Sequence, residues 1–404
     1  MHARRHALFA LAFAANSLGC RASNTASGPP RGSIELTQSV PSETPIAMTG
    51  YRATDDAWLS LINGARQRLD LAFFYACDAP PSRLTPIVEA IIAAKRRGVW
   101  VSVVLEHVFI EQYPDIRRQL HNAGIAIRIV DRSKTTGGIV HAKMMAADGQ
   151  RAWVGSANFD WRSLDHIHEL GVLVTSPDLA EAVHRLIAYD VELGDAATPA
   201  SLVTAESAAT LSYVPLTSAF GPAEVAFGAS QKGWLPREIV WDWPHLDALI
   251  ASAKSDLTVE FMSYGVLMRD GREWRELDNA LRGAVGRGVR VSLVLANWAE
   301  RGKHGADLHS LAEAGVHVRI VTIPDASTGP IPFARVIHGK SVIADGARCW
   351  VGTSNGEGDY FLKSRNAGFF LRSEGLCAQL RATVEGLGQG PFAAPLRSIE
   401  RPSP

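Results

Sequence analysis

The chain predicts an α/β fold built twice, as two similar α/β sandwich domains. Three observations carry this. The pattern His141-x-Lys143-x4-Asp148-x6-Gly155-Ser156-x-Asn158 returns 197 positions later as His338-x-Lys340-x4-Asp345-x6-Gly352-Thr353-x-Asn355. The similarity extends upstream of that pattern: Ile62 to Tyr75 parallels Ile250 to Tyr264, Arg97 to Leu105 parallels Arg287 to Leu295, and Ala123 to Val130 parallels Ala314 to Val321. Each half alternates helical periodicity with short β-rich runs, the pattern of helices packed on a largely buried sheet. With 404 residues, 47% of them apolar, each half can bury a core of its own.

The chain opens on Arg4, Arg5 and His6 followed by the apolar run Ala7 to Ala15, which reads as an export signal too short to span a bilayer. Leu18-Gly19-Cys20 resembles the end of a bacterial lipoprotein cleavage box, with Ser17 where an aliphatic residue is usual, so lipidation of Cys20 and ordinary cleavage near Ala14 or Ala15 are both open. The expected location is the bacterial periplasm, free or anchored to its membrane. A Ser-, Thr-, Gly- and Pro-rich tether completes residues 1–35. A first domain is expected over 36–200 and a second over 201–390, with a linker rich in Ala, Thr and Ser near 195–220 and an irregular tail at 391–404. Within the first half, helices are expected near 54–67, 83–97, 112–123 and 178–193, and strands near 69–76, 99–106, 125–130, 139–147, 151–155 and 168–175.

Lys plus Arg equals Asp plus Glu at 41 each, so no global field recruits nucleic acid or anionic membrane, and anion recognition must be local. Setting Cys20 aside, Cys77, Cys349 and Cys377 cannot all pair within one chain; one disulfide and buried thiols both remain open.

The duplicated motif holds what a metal-free phosphodiester cleavage needs. Side chains at i and i+2 of a strand share a face, so His141 and Lys143 point the same way, as do His338 and Lys340. Asp148-Gly149 and Asp345-Gly346 sit between apolar runs as type I′ hairpin signals. Seven extended residues span roughly 23 Å, so each Asp is assigned turn and framework duty, away from its histidine. Glu169, entering the strand after the hairpin, is the expected hydrogen-bond partner of His141; Asn366 is its counterpart behind His338. Gly155 and Gly352 would let backbone approach an anion, while Ser156, Thr353, Asn158 and Asn355 would donate to its oxygens. His166 and His168, two residues apart, are expected at solvent or rim positions rather than on a metal. Tyr75, Trp161, Tyr264, Tyr360 and Phe361 are core residues by default and candidates for lining a cleft.

These residues resemble the phospholipase D superfamily, whose signature is the duplicated His-x-Lys-x4-Asp motif. Val154 to Leu164, Glu169 to Val172, Ile331 to Val336 and Gly358-Asp359-Tyr360-Phe361 resemble in particular the branch of lysosomal phospholipase D-like 5′-exonucleases and poxvirus envelope phospholipases, with Gly356 where that branch usually has an aromatic residue. The resemblance implies two stacked α/β domains related by a pseudo-twofold, one active site at their interface, and a covalent phosphohistidine. In the mechanism expected here, neutral His141 attacks phosphorus and protonated His338 supplies the leaving oxygen with a proton; the reverse assignment stays open. Lys143, Lys340, Asn158 and Asn355 neutralise charge on the non-bridging oxygens, and no metal or other cofactor is required. The expected substrate is a phospholipid headgroup or a single-stranded nucleic-acid end. A phosphatidyltransferase of cardiolipin-synthase type is the alternative, and a non-catalytic membrane or envelope scaffold a third reading. Oligomeric state is not legible.

Overall fold

A computed structural model describes residues 31–46, 49–193, 210–300 and 305–397. The region of the export signal, Cys20 and most of the linker lies outside these residues.

In the first half, the apolar runs Arg68–Phe73, Trp100–Glu106 and Ala126–Val130 pair in parallel, the first two each followed by a helix. Arg68–Phe73 also pairs antiparallel with Met144–Ala147, which turns through a hairpin into Arg151–Gly155; Ile167–Thr175 and then Ser33–Ser39 extend the sheet antiparallel. The second half repeats that order with His317–Val321, Arg290–Ala296, Asp256–Phe261, Ser341–Ala344, Arg348–Gly352, Asn366–Arg372 and Gly221–Ser230. The halves join through strand ends, with Ile167 and His168 pairing in parallel with Val336 and Ile337.

Helices Thr54–Gly64 and Thr85–Arg96 bury Trp58, Leu61, Ile87 and Ile91 against one face of the first sheet, and Asp242–Ala251 and Glu276–Gly286 do the same for the second. The long helices Pro177–Leu193 and Glu374–Gln389 lie on the other face, where one core draws side chains from both halves. That shared core fixes the halves against each other, because separating them would expose Leu186, Ile187, Leu380 and Val384 to water.

The hairpin turns form as their residues dictate. Asp148 and Gly149 have φ of 54° and 62°, and Asp345 and Gly346 the same values, so both central residues are left-handed as a type I′ turn requires. The Asp148 carboxylate accepts the backbone N–H groups of Arg66, Gln67 and Arg68, each at 2.8 Å, and Asp345 does the same for Lys254, Ser255 and Asp256. Each aspartate thus locks its hairpin to the start of the neighbouring parallel strand.

Several boundaries differ from expectation. The tether drawn to residue 35 overlaps a strand from Ser33, because Ile34 and Leu36 bury against Ile167–Thr175. Val214–Ser218, inside the presumed linker, pairs with Gly221–Ser230. Ala393–Pro395, inside the presumed tail, adds to His317–Val321. Regular strand begins only at Met144, since the Ile139 carbonyl and the His141 N–H bond instead to the backbone of Arg365 in the other half. Cys349 and Cys377 form a disulfide between strand Arg348–Gly352 and helix Glu374–Gln389, leaving Cys77 free and half-buried.

Candidate active site

The two histidines face one cavity of about 270 Å³ between the halves, lined also by Asn158, Tyr75, Tyr360, Arg162 and Arg269. The motifs meet because each hangs by its backbone from the opposite half. The His141 N–H donates to the carbonyl of Arg365 at 2.9 Å, and the His338 N–H to that of His168 at 2.8 Å. Lys143 and Lys340 are fully buried behind the rings, and each ammonium donates to the carbonyl of its own motif histidine.

The ring partners are crossed relative to expectation. Glu169 does not steer His141: its Oε2 lies 2.8 Å from Nδ1 of His338. Nδ1 of His141 instead lies 3.1 Å from Oδ1 of Asn366. The reason is the same joint through strand ends. The strand after each hairpin runs along the opposite half's motif, so a residue 28 positions downstream serves the other half's histidine. The Asn366 amide is held in one orientation, its Oδ1 accepting from the Thr353 hydroxyl at 2.8 Å and its Nδ2 donating to the Tyr360 carbonyl at 2.8 Å.

Other expectations are corrected as well. Ser156 and Thr353 do not face the cavity. Ser156 exchanges hydrogen bonds with the backbone of Leu170, and Thr353 braces Asn366 and Ala367; both hydroxyls are buried framework. Gly155 and Gly352 serve packing: a Cβ on Gly155 would fall 2.6 Å from both Gly171 and the Trp153 ring, and one on Gly352 would fall 2.2 Å from the Trp350 ring. His168 is not at a rim but fully buried, 3.5 Å from Glu260, whereas half-buried His166 meets the Ser42 hydroxyl. Asn355 is buried beside Tyr360, outside the residues that line the cavity.

Among the aromatic candidates, Tyr75 and Tyr360 line the cavity, with the Tyr360 ring edge-on to His141 at 4.8 Å. Tyr264 bonds Asp278 in the second core, Phe361 packs between Trp243 and Trp274, and Trp161 lies apart beside His166. Sequence reasoning missed the wall of Phe74, Phe109 and Tyr113 and the loop residue Phe333. It also missed Arg162, whose guanidinium is gripped by buried Asp160 and donates to the carbonyl of Pro332 in the other half. The charged pair in Phe159-Asp160-Trp161-Arg162 was the available signal.

Burial depresses the two histidines and two lysines of the motifs. The His141 imidazole is pushed well below its usual range by burial and by Lys143, Lys340 and His338 around it. Burial brings His338 down to about 4 against the opposing pull of Glu169, and brings Lys340 down to about 7 against the pull of Glu169 and Glu260. Lys143 is driven well down by burial and by Lys340. Glu169 would be raised by burial, but the His338 charge and hydrogen bond hold its carboxyl below the ordinary value. Such a site has spare positive charge only when an anion enters it.

A profile described as a cardiolipin synthase, PLD-like domain matches residues 58–191 and 246–387, one copy on each half. The chain belongs to the phospholipase D superfamily. It is 28% identical over 394 residues to phospholipase D Z of Dictyostelium discoideum, covering 90% of this chain and 91% of that one. It is also 28% identical over 377 residues to the 5′-3′ exonuclease PLD4 of Mus musculus, covering 86% and 75%. In fold it is similar to phosphatidylserine synthase of Haemophilus influenzae Rd KW20, with a TM-score of 0.61 at 13% identity over 90% of this chain and 87% of that one. With both motifs intact, this superfamily member is a phosphodiesterase.

Proposed function

We propose that this phosphodiesterase cleaves its substrate through a phosphorylated His141, with His338 as general acid and then general base. The supporting observation is the crossed pairing of the rings. An amide oxygen can only accept, so Asn366 keeps the proton of His141 on Nδ1 and leaves the Nε2 lone pair free, the neutral form a nucleophile needs. A carboxylate stabilises imidazolium, so Glu169 favours the protonated form of His338 that an acid needs. In the first step His141 Nε2 bonds to phosphorus, the ester P–O bond breaks, and the leaving oxygen takes the His338 proton. In the second, water or an acceptor alcohol attacks phosphorus, the P–N bond breaks, and His338 takes the acceptor's proton. Lys143, Lys340 and Asn158 offset the charge on the non-bridging oxygens. Neither step calls on a metal.

The substrate class proposed is a phospholipid headgroup or a single-stranded nucleic-acid end. The aromatic wall offers stacking or apolar contact, and Arg162 and Arg269 offer local charge on an otherwise neutral protein. The names of the relatives point to both. Purified protein with EDTA, given labelled phospholipid and a single-stranded oligonucleotide in parallel, separates them, and added ethanol reveals transfer. His141→Ala should abolish cleavage and phosphoryl trapping. Label mapped to His338 would reverse the assignment, and activity abolished by EDTA would overturn the metal-free scheme.

The Cys349–Cys377 disulfide supports export to an oxidising compartment. Fractionation with the mass of the mature N-terminal peptide tests that reading and the fate of Cys20. Among the described residues no helix is long and apolar enough to cross a membrane.

A further inference from the structure

The second motif differs from the first in what lies against its backbone. In the first, Ala142 separates histidine from lysine; in the second, Gly339 does, and a Cβ there would fall 2.5 Å from the carboxylate of Glu260. Glu260 sits on strand Asp256–Phe261, in register with Ser341, while the matching position of the first half is Ala72. It is fully buried, and neither carboxylate oxygen has a hydrogen-bond partner among the described residues. Nδ1 of His168, also fully buried, lies 3.5 Å from Oε1 of Glu260, and the His168 carbonyl receives the His338 N–H. The equivalent place beside the first motif is filled differently. There Arg365, whose carbonyl receives the His141 N–H, is gripped by Asp190 at 2.9 Å.

We propose that Glu260, together with His168, is a positioning pair for the second motif, its carboxylate serving as the buried counter-ion that keeps the Lys340 ammonium available to a bound phosphate. An uncompensated carboxylate in such a place is strongly disfavoured, so its retention beside Gly339 calls for a charge partner. Lys340 faces Glu169 from strand Ile167–Thr175, Glu260 from strand Asp256–Phe261, and Lys143 and His141 from the first motif. Glu260 faces His168, Lys340 and the buried hydroxyl of Tyr51. With Lys340 already brought down to about 7, losing one of its two carboxylates moves its deprotonation to lower pH.

This inference rests on the reading of Lys340 as a phosphate-binding charge, and the test separates the two. Sulfate keeps its charge from pH 5 to 9, so its affinity for the full-length protein, measured by calorimetry across that range, reports the protein's own protons. In the wild type, affinity should fall as Lys340 loses its proton. In Glu260→Gln the fall should begin about one pH unit lower, a weakening of about fivefold at pH 7 that approaches tenfold above pH 8, with affinity at pH 5 within about threefold of wild type. If the glutamine variant does not fold, the double variant Glu260→Ala/Gly339→Ala, which restores the residues of the first motif, should show the same displacement. An unmoved midpoint in the folded variant, with Lys340→Ala still abolishing sulfate binding, overturns the role of Glu260 alone. Sulfate binding that persists unchanged in Lys340→Ala, or that the wild type lacks at every pH, overturns the reading of the site as well.

Discussion

Replacing Glu169 by glutamine removes one charge from the site and little else, and so isolates what the crossed pairing does. The carboxylate lies 2.8 Å from Nδ1 of His338, both groups fully or nearly buried. A hydrogen bond to a charged group contributes about 1.5–3 kcal/mol. At about 1.4 kcal/mol per pKa unit, the His338 imidazolium should lose one to two units. His338 titrates at about 4 in the unliganded protein, so it is mostly deprotonated above that pH, and kcat/KM should fall as pH rises. In Glu169→Gln that declining limb moves to lower pH by one to two units, so kcat/KM between pH 5 and 7 drops ~10- to 100-fold with an unchanged slope. The assay is cleavage of a phosphodiester with an alkoxide leaving group, compared with the p-nitrophenyl ester. Nitrophenolate departs without a proton, so the burst of nitrophenolate in the variant should be much closer to wild type. A limb that stays in place, or a defect equal for both leaving groups, would refute the assignment of His338 as the acid.

Asn366→Asp places a carboxylate behind His141. It should raise that ring's affinity for protons, so that activity relative to wild type falls toward acid pH and is spared near neutrality; a variant-to-wild-type ratio that rises toward low pH would contradict the neutral nucleophile. Gly352→Ala drives a methyl into the Trp350 ring and should destabilise by about 1–3 kcal/mol, measured by denaturant unfolding, with no change in sulfate affinity. Asp345 is brought down to about 2 by N–H groups of Lys254, Ser255 and Asp256 acting against burial. A lowered acid contributes stability above its unfolded value near 3.8, so the Asp345→Asn difference in unfolding free energy should shrink as pH falls from about 5 toward 2. Asp190→Ala leaves Arg132 and Arg365 buried without their shared partner and should cost about 3–5 kcal/mol, with circular dichroism melts as the check.

What the sequence made legible follows from how local each signal was. The succession of strands and helices was readable because apolar runs and Asp-Gly turns are short-range features, and the duplicated spacing allowed each half to check the other. Chain-end segments were misread for the opposite reason: Ser33–Ser39 and Ala393–Pro395 are strands only because an existing sheet edge offers them partners. The same limit produced the larger error at the site. Counting 28 residues from His141 to Glu169 correctly identified two positions with equivalent jobs, at 169 and 366, but spacing along one chain cannot say which of two symmetric histidines a residue will face.

That error shows what the pseudo-symmetry does. If each half supplied its own histidine and its own orienting group, each could form half a site alone, and the halves could drift apart without disturbing either ring. Exchanging the orienting groups makes each ring's geometry depend on the joint: His141 needs Asn366 and the Arg365 carbonyl, while His338 needs Glu169 and the His168 carbonyl. The exchange is symmetric in position and asymmetric in charge, with a neutral amide behind one ring and a carboxylate behind the other. Two imidazoles in one cavity can divide the work of nucleophile and acid only if their environments differ. The difference of one charge between residues 169 and 366 is the simplest way for a repeated sequence to supply that.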